Sequence, residues 1–218
     1  MSRRGVTLIT MPKSFSNSSF PKNYRPNMAE ANRYINLFYS NSINGPHDTA
    51  LTLLYKNSQP FTPNNRFETV LLKVSTLNDF FSTVIFDTFT VSKHIFAIPD
   101  LDRRLAGGDL SVVEDIRHVI HTLSNGTSKM RDYYSFATKF CNWHNGDAFP
   151  IYDSYVAAVL NALKINNKGL FKFKKAEDLK NYADLKDALD TVRNGFGLQS
   201  LDYTQLDRYL WNLGKTYF

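Results

Sequence analysis

Apolar residues recur at three- and four-residue steps along most of the chain. The clearest stripe, Phe67, Val70, Leu71, Val74, Leu77 and Phe81, predicts a helix with one face on a core. The same period runs through Val112, Val113, Ile116, Val119, Ile120 and Leu123, then through Met130, Tyr133, Tyr134, Ala137, Phe140 and Cys141, and again through Tyr155, Val156, Val159, Leu160 and Leu163; each run predicts a further helix. Upstream, Asn27 is a candidate N-cap for the helix MAEANRYINLFYS, and GPHDTALTLLYKNSQPFTPNN leads through a short helix into a loop. Two more helices are expected around Leu179 to Val192 and Tyr203 to Leu213, parted by the glycine-bearing NGFGLQS. Strand-like alternation is scarce: GLFKFKK reads as a short strand, a hairpin or a solvated loop, and GVTLIT as another short strand. The expected fold class is all-α, with about eight helices.

With 218 residues, 43% hydrophobic and 14% aromatic, the chain can bury one substantial core, or two small lobes that share a cleft. No stretch approaches the roughly 20 apolar residues that span a bilayer, and the apolar run in MSRRGVTLITMPK is too short for a secretory signal, so a cytoplasmic location away from membranes is expected. A single cysteine, Cys141, rules out an internal disulfide framework, fits a reducing compartment and reads as a helix-core residue. The net charge of +6 is unevenly spread: Arg3, Arg4, Lys13, Lys22 and Arg25 carry +5 within residues 1–26 without an acid, leaving +1 for residues 27–218. Residues 1–26, rich in Ser, Asn and Pro, therefore read as a basic tail or wrapping segment, and residues 27–218 as the folded domain. The run KGLFKFKK interleaves lysines with aromatics, which suits either a nucleic-acid backbone or a solvated loop.

Few residues carry chemistry. His118 and His121 fall three apart on a predicted helix, but no third ligand is placed beside them, and neither a metal nor another cofactor is expected. Asp153, in FPIYDSYV, stands where a helix should begin. It fits an N-cap, and the same geometry suits an ionised carboxylate that stabilises positive charge on a sugar or activates water. Lys139 lies one turn beyond Ser135 on the preceding helix. Near the C-terminus, Tyr203, Asp207 and Trp211 are spaced i, i+4, i+8 beside the apolar row Leu206, Leu210 and Leu213, so an acid and two aromatics border the core. Such a face serves either simple packing or a flat ligand stacked on Trp211 and hydrogen-bonded to Asp207.

Ala137 and Phe140, the Ile151-Tyr152 pair before Asp153, and LDRYLW followed by a short tail after GK resemble the 8-oxoguanine DNA glycosylases of the helix-hairpin-helix superfamily, particularly the compact archaeal-type branch. SFATKFC, FPIYDSYV and LDRYLWNLGKTYF are also similar to bacterial proteins with this glycosylase fold, some associated with anti-phage defence. The resemblance covers roughly residues 128–218. It implies a two-lobed helical fold with a base pocket between lobes, and metal-free N-glycosidic chemistry on an extruded nucleotide, as in base excision repair. It implies Asp153 as the catalytic carboxylate, and Trp211, Asp207 and the chain end at Phe218 around the base; Lys139, one turn beyond the position of the family's lysine on the same face, is a candidate to substitute as the nucleophile or to pair with Asp153. Asn78 and Phe81 are candidates to complete the pocket, and Lys129, Arg131 and Ser135 to meet phosphate or DNA.

The chain also departs from that pattern. The family's nucleophilic lysine falls on Ser135, and its hairpin glycines fall on Arg131 and Tyr133. Two functions stay open: an N-glycosylase that removes an 8-oxoguanine-like purine from a nucleic acid, and a non-catalytic or non-DNA reader of a guanine-type nucleobase or nucleotide acting in phage defence. The expected partner is DNA or such a nucleotide; the oligomeric state is left open.

Overall fold

The computed structural model describes residues 20–57, 62–122 and 125–218. Within them the protein is mostly helical, as the apolar periods predict, with one two-stranded sheet. The helices are α1 (Met28–Ser40), α2 (Asn44–Thr52), α3 (Phe67–Phe81), α4 (Thr88–Phe96), α5 (Leu101–Ala106), α6 (Ser111–Arg117), α7 (Tyr134–His144), α8 (Ser154–Asn166), α9 (Tyr182–Gly195) and α10 (Tyr203–Tyr217). These ten exceed the eight expected, because α4 and α5 are short. Asn27 caps α1 by accepting from the Glu30 amide, and Asp202 with Gln205 closes a capping box on α10. One core joins the helices: Val70, Val74 and Leu77 of α3 meet Phe136 and Phe140 of α7, Val159 and Leu163 of α8, and Leu206, Leu210 and Leu213 of α10.

The period between residues 112 and 141 is misleading. Where two helices are expected, α6 stops at Arg117, and the chain forms strand β1 (His118–Thr122), a turn and strand β2 (Ser128–Asp132) before α7 starts at Tyr134. The strands are antiparallel, with Val119 opposite Arg131 and Ile120 opposite Met130. Arg117 clamps the base of this hairpin. Its Nε and Nη2 donate to Asp132 at 2.9 and 2.6 Å, its Nη1 reaches Glu114 at 3.0 Å, and its guanidinium lies 4.2 Å from the Tyr134 ring centre. A bidentate pair of this kind favours closing the chain on itself over another helical turn. The turn runs through Asn125 and Gly126, the latter at φ +80°, a conformation glycine adopts without strain. His118 and His121 consequently lie on a strand, where residues three apart point to opposite faces. His118 sits near Glu114, while His121 contacts Tyr133 and Asp87.

GLFKFKK forms no strand. Phe171 and Phe173 turn into the core from an extended segment that leaves Lys172, Lys174 and Lys175 exposed. GVTLIT lies outside the described residues. Residues 20–26 lie along the helices: Phe20 is buried against Tyr24, Tyr217 and Phe218, and Asn166 donates to the Pro21 carbonyl at 3.0 Å.

Candidate functional site

The α7–α8 connection brings the predicted carboxylate and lysine together. Asn145 ends α7, and the chain then folds back along it. Asn142 donates to the Phe149 carbonyl at 2.7 Å, and Thr138 Oγ1 accepts the Tyr152 amide at 3.0 Å. Gly146 is needed in this turn because a side chain there would lie 2.5 Å from Thr204 Oγ1. Asp153 then caps α8, accepting from the Tyr155 amide at 2.9 Å. Its other oxygen stands 3.5 Å from Lys139 Nζ. Lys139 is only 4% exposed; its ammonium donates to Ser135 Oγ at 2.7 Å and to the Tyr152 carbonyl at 3.3 Å, and Phe81 lies 5.7 Å away across its ring face. Ser135 thus belongs to the lysine's surroundings, whereas Lys129 and Arg131 stand exposed on β2.

The second wall comes from α10. Gly214 packs so closely on the start of α8 that a Cβ there would fall 2.7 Å from Tyr155 Cβ and 2.9 Å from its carbonyl oxygen. This approach brings Asp207 into the electrostatic field of Lys139 and Asp153. Burial pushes the Asp207 carboxyl up to about 6, with Asp153 adding to the rise and Arg208 and Lys139 opposing it. Arg208 Nη1 donates to Asp207 Oδ2 at 2.7 Å, and Arg208 Nη2 donates to Asp48 Oδ1 on α2 at 2.9 Å.

The remaining predicted residues take different places. Trp211 meets the edge of Phe38, with Lys215 4.4 Å over its ring; Phe38 also packs edge-to-face on Tyr39 and lies 4.5 Å from the Arg208 guanidinium. Phe218 stacks on Phe20. Asn78 spends its side chain on the loop after α3, donating to the Ile85 carbonyl and accepting from the Ile85 amide and Thr83 Oγ1 at 2.9–3.0 Å. That loop holds Val84 at φ +60°, an unusual conformation for a β-branched residue. A groove of about 630 Å³ lined by Tyr39, Gly45, Pro46, Thr49, Ala50 and Leu53 opens on the α1–α2 face and contains none of the predicted residues.

Sequence reasoning missed Asp48 and Arg208, and also a second polar cluster. Lys73 of α3, fully buried, donates to Asn64 Oδ1 at 2.9 Å and approaches His144 Nε2 at 3.1 Å. Asn64 also reaches Asp102 at 2.6 Å and His144 Nε2 at 2.9 Å, while His144 Nδ1 donates to the Phe140 carbonyl at 2.8 Å. Burial lowers Lys73 to about 8 despite the nearby Asp102. Burial, reinforced by Lys73, lowers His144 to about 3. Nothing in the local pattern marks these residues, since their partners come from three separate helices and a loop. Cys141 is the core residue its period suggests, with burial pushing its thiol up. Among the described residues no three His, Cys, Asp or Glu side chains form a metal-binding group, and no helix is long and apolar enough to cross a membrane.

Residues 30–148 match the family model HI_0787_N, described as an N-terminal domain. This span carries Asp48, Phe81, Ser135 and Lys139, but ends before Asp153 and Asp207. An uncharacterized protein of Haemophilus influenzae is 43% identical over 151 residues, covering 69% of each chain. No solved structure matches. The chain belongs to the family that the HI_0787_N domain defines.

Proposed function

We propose that this protein is an N-glycosylase of the helix-hairpin-helix type that removes an 8-oxoguanine-like purine from a nucleic acid, with a β-hairpin standing where the family has its glycine hairpin. The observation that carries the proposal is the enclosed set of Asp153, Lys139 and Asp207. Cleaving the C1′–N9 bond leaves the electron pair on the departing base and positive charge on the sugar. Asp153, held by the Tyr155 amide, places a carboxylate where it can stabilise that charge. Lys139 forms its bond to C1′ as the C1′–N9 bond breaks, and the proton that its amine sheds passes by way of Asp153, 3.5 Å away, to the departing purine anion, which leaves the carboxylate ionised. Asp207 reads the base, and Lys129 and Arg131 on the hairpin contact phosphate.

One observation favours a second reading, a non-catalytic reader of guanine-type nucleotides. The Lys139 ammonium is buried and already engaged by Ser135, the Tyr152 carbonyl and Asp153, as a positioning lysine would be. Borohydride trapping on single- and double-stranded DNA containing 8-oxoguanine separates the two. A covalent adduct lost in Lys139→Gln, with base release lost in Asp153→Asn, supports the glycosylase; neither adduct nor released base from the wild type removes it and leaves the reader.

A further inference from the structure

Asp207 and Arg208 are adjacent on α10 and both buried, at 8% and 1% exposure. Arg208 divides its two terminal nitrogens between two carboxylates, Asp207 Oδ2 at 2.7 Å and Asp48 Oδ1 at 2.9 Å, and its guanidinium is packed among Phe38, Phe81 and Trp143. A carboxylate–guanidinium–carboxylate chain therefore runs from Asp48, whose side chain is 15% exposed, to the interior beside Lys139 and Asp153.

A buried ion pair that serves stability alone is expected to satisfy both carboxylate oxygens, because an unpaired buried acceptor is costly. Asp207 does not do so: its Oδ1 is buried and has no hydrogen-bond partner. One oxygen is pinned by a guanidinium that cannot rotate freely between its aromatic neighbours. The other is held in a fixed direction with its acceptor capacity unused.

We propose that Asp48 and Arg208 are positioning residues that fix Asp207 so that its Oδ1 accepts an N–H from a bound purine, selecting a guanine-type edge, which offers N1–H and a 2-amino group, over adenine, whose N1 is an acceptor. This rests on the purine reading given above. Arg208 sets the direction of the acceptor, and Asp48 keeps Arg208 from swinging wholly onto Asp207. The charged groups acting on Asp207 are Arg208, Lys139 and Asp153. Removing the Asp48 charge leaves the full guanidinium charge to favour ionised Asp207, so the Asp207 titration midpoint, about 6 in the wild type, should fall.

The test uses the full chain with Asp48→Asn and Asp48→Glu, both at a partly exposed position. Carboxyl carbon resonances follow Asp207 titration in the free protein, and calorimetry measures deoxyguanosine and deoxyadenosine binding. The expected result is a lower Asp207 midpoint in Asp48→Asn, a roughly tenfold narrowing of the guanine-over-adenine preference, and recovery of both in Asp48→Glu. A wild-type preference left intact in Asp48→Asn, or an unmoved midpoint, overturns the positioning role while the purine reading stands. No preference in the wild type overturns the purine reading, and the proposal falls with it.

Discussion

Acidification should unlock the protein at His144. Its Nδ1 donates to the Phe140 carbonyl, and its Nε2 faces Lys73 and Asn64, so the neutral ring is the one its surroundings accept. Protonation would place a second cation against a buried ammonium that is itself protonated below about pH 8. The sign follows from the folded value of about 3 lying below the ordinary histidine value of 6.5: the unfolded chain binds the proton more readily, so this contribution to stability is complete above 6.5 and is lost as pH falls towards 3. The full linkage slope is about 1.4 kcal/mol per pH unit. Because half of the unfolded chains already carry the proton at pH 6.5, the expected loss is about 2 kcal/mol over the two units below 6.5. Urea denaturation followed by circular dichroism at stepped pH, for wild type and His144→Gln, measures it. Glutamine keeps a side-chain acceptor for Lys73 and cannot titrate. Carboxylates held low in the native state, such as Asp87, Asp109 and Asp132, lose stability in the same direction in both proteins and cancel in the difference. The variant's stability should therefore fall less steeply with acid than the wild type's. Parallel slopes would show that the ring is hydrated or freely protonated, and the reasoning would fail.

Other perturbations test the site and its supports. Gly214→Ala should cost about 1–3 kcal/mol in thermal melting, because the new methyl must displace Tyr155 backbone atoms; an unchanged melting temperature would deny the close approach of α10 to α8. Asp153→Asn should keep the α8 cap, while Asp153→Ala should be about 1 kcal/mol less stable than Asp153→Asn in urea, and both should lose base release. Equal stability of the two variants would show that the cap contributes nothing. Val84→Gly should gain about 0.5–1 kcal/mol, since the residue is exposed and held at φ +60°; a loss in chemical denaturation would mean that the valine packing outweighs the strain.

Much of the helical frame was legible in the chain. Helices α3, α8 and α10 follow from three- and four-residue apolar steps, α1 follows from its cap, and the caps at Asn27 and Asp153 stand where their residue types predict, because both signals are local. The hairpin between α6 and α7 was misread because Val119, Ile120 and Met130 continue a helical period by chance, although Asn125-Gly126 was a usable turn signal. Lys139 and Ser135 share a face by i, i+4 spacing, which the sequence states directly. Their meeting with Asp153 needed the folded-back loop held by Asn142 and Thr138, and the arrival of Asp207 needed Gly214 to let two helices touch. Asp48 lies 160 residues from Arg208, and Lys73 lies 71 from His144. No periodicity reaches so far: helix propensity and capping are properties of a few neighbouring residues, whereas a buried charge finds its partner only when whole helices pack.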